Sequence, residues 1–308
     1  MKNTTLFRQL IHAPEILQLP CCHDALTARV LQQAGFKAIS AAGYGTAGSQ
    51  LGFPDIGLAT ATEMINNYRH VCNAVSVPVF VDIDTGFGDV NNTIRAVQDC
   101  EQAGTAGLFV EDQTFPKRCG HMAGKTVVAI EEYLPKLRAA LWARKDPDFV
   151  IMARTDAAAV YGVDDAISRA RTCASEGADM VFIEALRTKD DMLKATRAMK
   201  EIGVPIMANM IEGGESPFLT ASELQEVGFQ VVTYPCASLY VAVKALQKWA
   251  QCLKETGTSQ GMWDQMLTFK EYFDFIGAPE IREREDIFHR PLCTGHSGDD
   301  RGDGYGSK

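Results

Sequence analysis

The chain has 308 residues, 46 % of them hydrophobic, and a formal net charge of −9. That length and apolar content suffice for one large domain or two ordinary ones. The negative balance, without a long run of Lys and Arg, excludes a nucleic-acid surface and leaves small-molecule chemistry as the default class.

The N-terminus, MKNTTLFRQLIHAPEI, has Leu6, Phe7, Leu10 and Ile11 at helical spacing but no continuous apolar run. It supports neither a secretory signal nor a membrane span. Short apolar runs behind turn residues then predict eight strands, at residues 16–19, 38–41, 79–82, 107–110, 149–153, 180–183, 205–209 and 230–233. Helical patterns follow them at 24–34, 60–75, 91–103, 130–145, 164–176, 189–202, 221–227 and 238–253. Glycine closes many of the joints, as in AGF (34–36), AGTAG (103–107), EGAD (176–179), IGVP (202–205) and VGF (227–229). Eight strand–helix pairs in succession predict an α/β chain whose parallel sheet closes into a (β/α)8 TIM barrel, an open sheet being the alternative. The barrel with its N-terminal helix is assigned to residues 1–258. A C-terminal extension at 259–289 is expected to hold helices at 262–276 and 280–289, and the Gly/Asp/Ser-rich stretch 290–308 to be disordered.

Nine cysteines, an odd number without repeating spacing, do not form a disulfide framework, and Cys119-x-His121 is too tight for a zinc hook. A reducing compartment, the cytoplasm, is expected, with an organelle as the alternative.

In a barrel the active site lies at the C-terminal ends of the strands. Polar residues collect there: Asp82 and Asp84, Glu111 and Asp112, Arg154, Thr155 and Asp156, Glu184, and Asn209 with Glu212. Helix capping explains some of them, but neither Arg154 nor Glu184 is a favoured cap. Asp82 and Asp84, two apart, project to one side of an extended chain, where a cation would relieve their repulsion. Oxygen donors favour Mg²⁺, with Mn²⁺ as substitute, and since magnesium keeps several waters, Asp55, Glu111 and part of this pair can act through water. Lys117, Arg118, Arg154 and a loop at Gly43-Tyr44-Gly45 supply positive charge and free N–H groups. In PKRCGHMAGK (116–125) the cations and His121 surround Cys119, which is expected to lower its pKa from about 8.5; Gly120 and Gly124 would let the segment move. A small packing cysteine is the alternative. The set suggests a small polycarboxylate whose cleavage leaves a carbanion.

The motifs KRCGH (117–121), LGFPDIG (51–57), VDIDTGFG (81–88), VEDQ (110–113), ARTDA (153–157) and NMIEGGESP (209–217) resemble the isocitrate lyase/phosphoenolpyruvate mutase superfamily, in order and nearly without gaps from about residue 6 to residue 288. KRCGH points to the carbon–carbon lyase branch, and NMIEGGESP with MLTFKEYFDFIGAPEI (266–281) resembles the 2,3-dimethylmalate lyase type more than the 2-methylisocitrate lyase type. The resemblance implies Mg²⁺-dependent retro-aldol cleavage of a 2-hydroxy dicarboxylate or tricarboxylate to pyruvate and a second acid. It also implies that Asp82, Asp84 and Glu111, with Asp55 nearby, bind metal and that Cys119 protonates the carbanion. Lys117 and His121 would hold the loop and polarise the site, while Arg154, Glu184, Asn209 and the Gly43-Tyr44 backbone would clamp the substrate. A homotetramer is implied, its C-terminal helices packing on or exchanging with a neighbouring subunit.

The chain departs from the family at Ser40, where tyrosine is usual, and at Ala42, where serine is usual; His23 stands in the place of another tyrosine. His23 or Tyr44 is then the candidate base, a structural hydrogen bond being the simpler role for His23. An oxaloacetate acetylhydrolase-type hydrolase is the alternative function, against which Pro235 speaks because those enzymes carry serine there. A degenerate dicarboxylate-binding barrel is a third reading.

Overall fold

The structure is a computed structural model, and it describes residues 1–289. Eight strands, β1 Leu17–Cys22, β2 Ile39–Ala41, β3 Val79–Asp82, β4 Gly107–Glu111, β5 Val150–Thr155, β6 Met180–Ile183, β7 Ile206–Asn209 and β8 Val231–Tyr234, run parallel in sequence order. β8 returns to β1 with Leu17 opposite Val231 and Pro20 opposite Tyr234, so the sheet closes as expected. One helix follows each strand: Ala25–Gln33, Ala61–Ala74, Val90–Ala103, Ile130–Ala143, Val163–Ser175, Lys189–Ile202, Ala221–Val227 and Ala237–Thr256. Where these ranges differ from the expected ones, the largest gaps are at the ends of β1 and β5. There the backbone ladder runs on through Pro20-Cys21-Cys22 and Arg154-Thr155, past the point where the apolar run stops.

The joint glycines behave as their motifs predict. Gly104, Gly203 and Gly228 close their helices at φ +91°, +72° and +111°, a conformation that costs glycine no Cβ clash. Inside the barrel Leu19, Phe80, Phe109, Met152, Phe182, Met207 and Val231 form the lower core. Helix Asn3–Ile11 plugs its base, with the Phe7 ring stacked on Phe80 at 5.1 Å between centroids. The apolar floor leaves the polar strand ends as the only hydrophilic layer inside.

Internal contacts divide the chain into a unit of Met1–Ala250 and a second that begins at Gln251. In the second, the single helix expected at 262–276 is corrected to a 3-10 turn, Gln260–Gln265, and a helix, Phe269–Phe275. A capping box starts the latter afresh: Glu271 N–H donates to Thr268 Oγ1 (3.2 Å) and Thr268 N–H to Glu271 Oε2 (2.7 Å). Helix Ala278–Phe288 follows Gly277, whose φ is +82°. The expected disorder of 290–308 lies outside the described residues. Among these, no helix is long and apolar enough to cross a membrane.

Candidate active site

β3 ends at Asp82 and the chain turns at once, Asp84 adopting φ +48°, a left-handed conformation that costs a non-glycine residue about 1–3 kcal/mol. The expectation that the two carboxylates share a side through extended geometry is thereby corrected. The turn brings them together, so that Asp55 Oδ1, Asp82 Oδ2 and Asp84 Oδ1 each lie 3.2 Å from where a Cβ on Gly43 would sit. Asp82 accepts from the N–H groups of Gly43 (3.1 Å) and Asp84 (2.8 Å). Lys117 Nζ stands 2.5 Å from Asp55 Oδ1 and 2.9 Å from Asp84 Oδ1. Glu111, at the end of β4, accepts no hydrogen bond at either buried oxygen and only faces Arg154 Nη1 at 3.3 Å.

Burial pushes the carboxyls of Asp82, Asp84 and Glu111 up, Asp84 to about 7, and mutual repulsion outweighs the pull of Lys117 and Arg154. For Lys117 burial acts to lower the pKa, but the surrounding acids, Asp84 first, hold it well above normal and the ammonium stays charged. Four carboxylates thus share one ammonium and one edge of a guanidinium, and the cluster is short of positive charge. Among the described residues no three His, Cys, Asp or Glu side chains gather closely enough to hold a metal alone. An ion that takes one or two carboxylates and keeps its waters needs no such group, and the unpartnered oxygens of Glu111 and the acid cradle around Gly43 fit Mg²⁺ or Mn²⁺.

The segment after β4 leaves the barrel at Gln113 and returns at Val127, which pair as an antiparallel bridge. Gln113 holds the excursion from within, its Nε2 donating to Arg118 O (2.8 Å) and its Oε1 accepting from the Arg118 N–H (3.0 Å). Cys119 N–H donates to Asp55 O (3.1 Å). Gly120 passes so close to the end of β6 that a Cβ would strike Glu184 Oε2 and lie 2.5 Å from Arg154 Nη2. This glycine is required for close approach, whereas Gly124, at φ +78°, is required by its backbone conformation.

The expected lowering of the Cys119 pKa is corrected. Lys117 is spent on Asp55 and Asp84, and Arg118 turns away to donate to Ala123 O (3.1 Å). His121 Nδ1 accepts from the Glu215 N–H (2.8 Å), so the ring proton is assigned to Nε2, which donates to Glu184 Oε1 (3.1 Å), and the imidazole is neutral. Burial therefore raises the thiol pKa; a hydrogen bond from the His121 backbone and the charge of Arg154 oppose it, while Asp55 and Glu184 add to it. Cys119 is a neutral thiol, the form that can give a proton.

Arg154 is gripped on all sides. Its Nε and Nη2 donate to Asp156 (2.9 and 3.2 Å), Nη2 faces Glu184 Oε2 at 3.2 Å, and the rings of Phe109 and Phe182 flank it at 5.8 and 5.1 Å. Asn209 Nδ2 donates to both Glu184 oxygens (3.3 and 3.1 Å), leaving its Oδ1 buried and unpartnered. Burial acts to raise the Glu184 pKa, but Arg154 above all, then His121, hold it at about 2. Glu184 is a permanent anion that orients Arg154, His121 and Asn209.

These groups surround a cavity of about 600 Å³, counted to its open mouth. Tyr44, Asp55, Asp82 and Cys119 line one side of it, and Arg154, Glu184, Asn209 and Pro235 line the other. Lys117, Asp84 and Glu111 stand behind this wall, and His121 faces a neighbouring chamber. The expected loop at Gly43-Tyr44-Gly45 is a helical turn, Gly43–Thr46, and the Gly43 N–H is spent on Asp82 rather than left for an anion. His23 is corrected as a base candidate: it lines neither chamber, and its ring meets Thr27 Oγ1 (2.9 Å) and Ser238 Oγ (3.4 Å). Tyr44 does line both, with its hydroxyl 2.9 Å from that of Tyr240, and burial pushes its phenol up.

Two features escaped the sequence. Lys125, at the far end of the loop, donates to Gly120 O and stands 3.6 Å from Asp156 Oδ1; a lysine in a Gly-rich loop carries no pattern. At the cavity floor Cys21 Sγ lies 2.7 Å from Ser40 Oγ, and Thr233 Oγ1 donates to Leu19 O (2.9 Å). That cluster comes from strands 19 and more residues apart, and only the unusual Ser40 hinted at it.

The phosphoenolpyruvate phosphomutase family model matches residues 7–254. The chain is 42 % identical over 285 residues to 2,3-dimethylmalate lyase of Eubacterium barkeri, covering 92 % of this chain and 98 % of the relative. It is 41 % identical over 270 residues to 2-methylisocitrate lyase of Halalkalibacterium halodurans, covering 88 % of each. Carboxyvinyl-carboxyphosphonate phosphorylmutase of Arabidopsis thaliana is 42 % identical over 276 residues, covering 88 % of this chain and 80 % of that one. Among solved structures, oxaloacetate acetylhydrolase with 3,3-difluorooxalacetate has a TM-score of 0.87 at 32 % identity, covering 93 % and 97 % of the two chains. 2,3-Dimethylmalate lyase has a TM-score of 0.87 at 32 % identity, covering 97 % and 99 %. Phosphonopyruvate hydrolase with oxalate and Mg²⁺ has a TM-score of 0.82 at 27 % identity, covering 94 % and 99 %.

Proposed function

Because the chain belongs to the isocitrate lyase/phosphoenolpyruvate mutase superfamily, we propose that it is a Mg²⁺-dependent carbon–carbon lyase that cleaves a 2-hydroxy dicarboxylate of the 2,3-dimethylmalate or 2-methylisocitrate type to pyruvate and a second acid. The observation that carries this reading is the neutral Cys119 thiol lining a cavity beside Asp55 and Asp82. Retro-aldol cleavage breaks the C2–C3 bond, makes C2–O a carbonyl as its hydroxyl proton leaves, and keeps the electron pair on C3. Cys119 gives C3 its proton, acting as general acid. Arg154 binds the substrate, held in register by Asp156 and Glu184, and Asn209 offers its unpartnered Oδ1 to the 2-hydroxyl or its proton. Tyr44 is the remaining base candidate, and Gly120 lets the loop backbone seal the cavity from water. Asp82, Asp84 and Glu111, with Asp55 through water, would hold the cation, whose chemistry is to polarise the 2-oxygen and stabilise charge developing there.

The test is product analysis. The protein is incubated with Mg²⁺ and 2,3-dimethylmalate, 2-methylisocitrate, other substituted malates and oxaloacetate, and products are identified by NMR. Pyruvate with a second acid supports the lyase; no product from any of them overturns it. Oxalate and acetate from oxaloacetate would instead support a hydrolase, a reading favoured by the likeness to oxaloacetate acetylhydrolase structures. Pro235 speaks against it, since a cavity-lining proline offers neither a hydroxyl nor an N–H to a hydrated ketone. The reading includes a homotetramer in the cytoplasm, which light scattering and cell fractionation would test.

A further inference from the structure

The cavity has a neighbour. A second chamber of about 880 Å³, counted to its open mouth, shares Tyr44, Asp55, Cys119, Ile211 and Cys236 with the first, so these five residues form the partition. The outer walls are apolar at Phe53, Met122 and Leu239 and acidic at Glu212. Among the described residues that line it there is no lysine or arginine. Nor are its polar groups free for an anion. Both ring nitrogens of His121 are engaged, by Glu184 and by the Glu215 N–H, and the Gly214 N–H donates to Ile211 O (3.0 Å).

Under the lyase reading, on which this inference rests, Cys119 delivers its proton to C3. Cys119 belongs to the partition, so C3 lies at the doorway and its substituent points to the outer chamber. We propose that this chamber is the subsite for the C3 substituent, and that it accepts an alkyl group and rejects a carboxylate. The substrate is then an alkyl-substituted malate, not a tricarboxylate. A carboxylate entering here would give up its water and meet Glu212 and thioether and aromatic walls, with no cation to replace its hydration. An alkyl group gains instead: each methylene taken from water is worth about fourfold in affinity, and the flexible, polarisable Met122 can mould to it.

The closing experiment compares 2,3-dimethylmalate with 2-methylisocitrate, which differ at C3 by methyl against carboxymethyl. Wild-type kcat/KM should favour the former by about 100-fold. Met122→Arg, a half-exposed position outside the catalytic groups, should shift that ratio toward the tricarboxylate by about 10-fold or more. Equal or better cleavage of 2-methylisocitrate by the wild type overturns the proposal while leaving the lyase reading intact. A binding arm decides the subsite without turnover. With Mg²⁺ present, calorimetry should detect 2,3-dimethylsuccinate at least about 10-fold tighter than propane-1,2,3-tricarboxylate. Equal or tighter binding of the triacid, or no binding of either, overturns the proposal. If the diacid binds selectively and neither hydroxy acid is cleaved, the lyase reading fails and the chamber's selectivity stands.

Discussion

Gly120 and Glu184 come together so closely that a single methyl group on the glycine would collide with the carboxylate. Gly120→Ala must therefore lift the loop or displace Glu184 and, with it, Arg154. A misplacement of about 1 Å is enough to cost about 10²-fold in rate. We expect kcat to fall by that order while the melting temperature changes little, because the barrel beneath is untouched. A variant with wild-type kcat would show that the close approach has no role in turnover.

Cys119→Ser keeps a similar size but replaces the thiol with a far weaker acid. Mg²⁺ and substrate binding should persist, and kcat should drop by about 10²-fold or more. Turnover at the wild-type rate would make the thiol a packing residue.

Chelation tests the acid cluster. EDTA should abolish turnover, and Mg²⁺ or Mn²⁺ should restore it. Full activity in exhaustively chelated protein would remove the metal from the mechanism.

His23 and Tyr44 separate by location. His23→Gln should leave kcat within a few-fold and cost about 1 kcal/mol of stability through its hydrogen bonds to Thr27 and Ser238. Tyr44→Phe should lower kcat by about 10²-fold if its phenol takes the proton. A large kcat loss in the His23 variant alone would reverse this assignment.

Glu184 makes a prediction about acid stability. Its pKa is depressed to about 2 in the folded protein, below the ordinary value of 4.5. Its contribution is therefore present above about pH 4.5 and is lost as pH falls toward 2. Urea denaturation of wild type and Glu184→Gln should show a gap of a few kcal/mol at pH 7 that narrows below pH 4.5. A gap that is constant with pH would mean that the charge of Glu184 does not stabilise the fold.

The barrel was legible because its signal is local and repeated: apolar runs, helical periods and glycine joints recur eight times. The site was legible as a set of strand ends, since a barrel gathers those residues whatever their separation. The state of Cys119 was not legible. Sequence neighbours gave Lys117, Arg118 and His121, but their charges are spent on Asp55, Ala123 O and Glu184, partners from other parts of the chain. Adjacency in sequence overstated the positive field at the thiol. The break at Thr268 was visible in principle as a Thr-x-x-Glu box, which an unbroken apolar period concealed.

Lys117 ties the loop to the barrel as a latch. Raising the loop would withdraw the only ammonium touching Asp55 and Asp84 and strand buried acids, a loss of about 3–5 kcal/mol for a broken buried pair. Left uncompensated, that would hold the raised form to roughly one molecule in several hundred or fewer. Any cation that neutralises those acids lowers the cost of release, and by thermodynamic reciprocity a raised loop would bind that cation more tightly. Entry to the cavity and occupancy of the acid cluster are thus a single linked equilibrium, not two separate events.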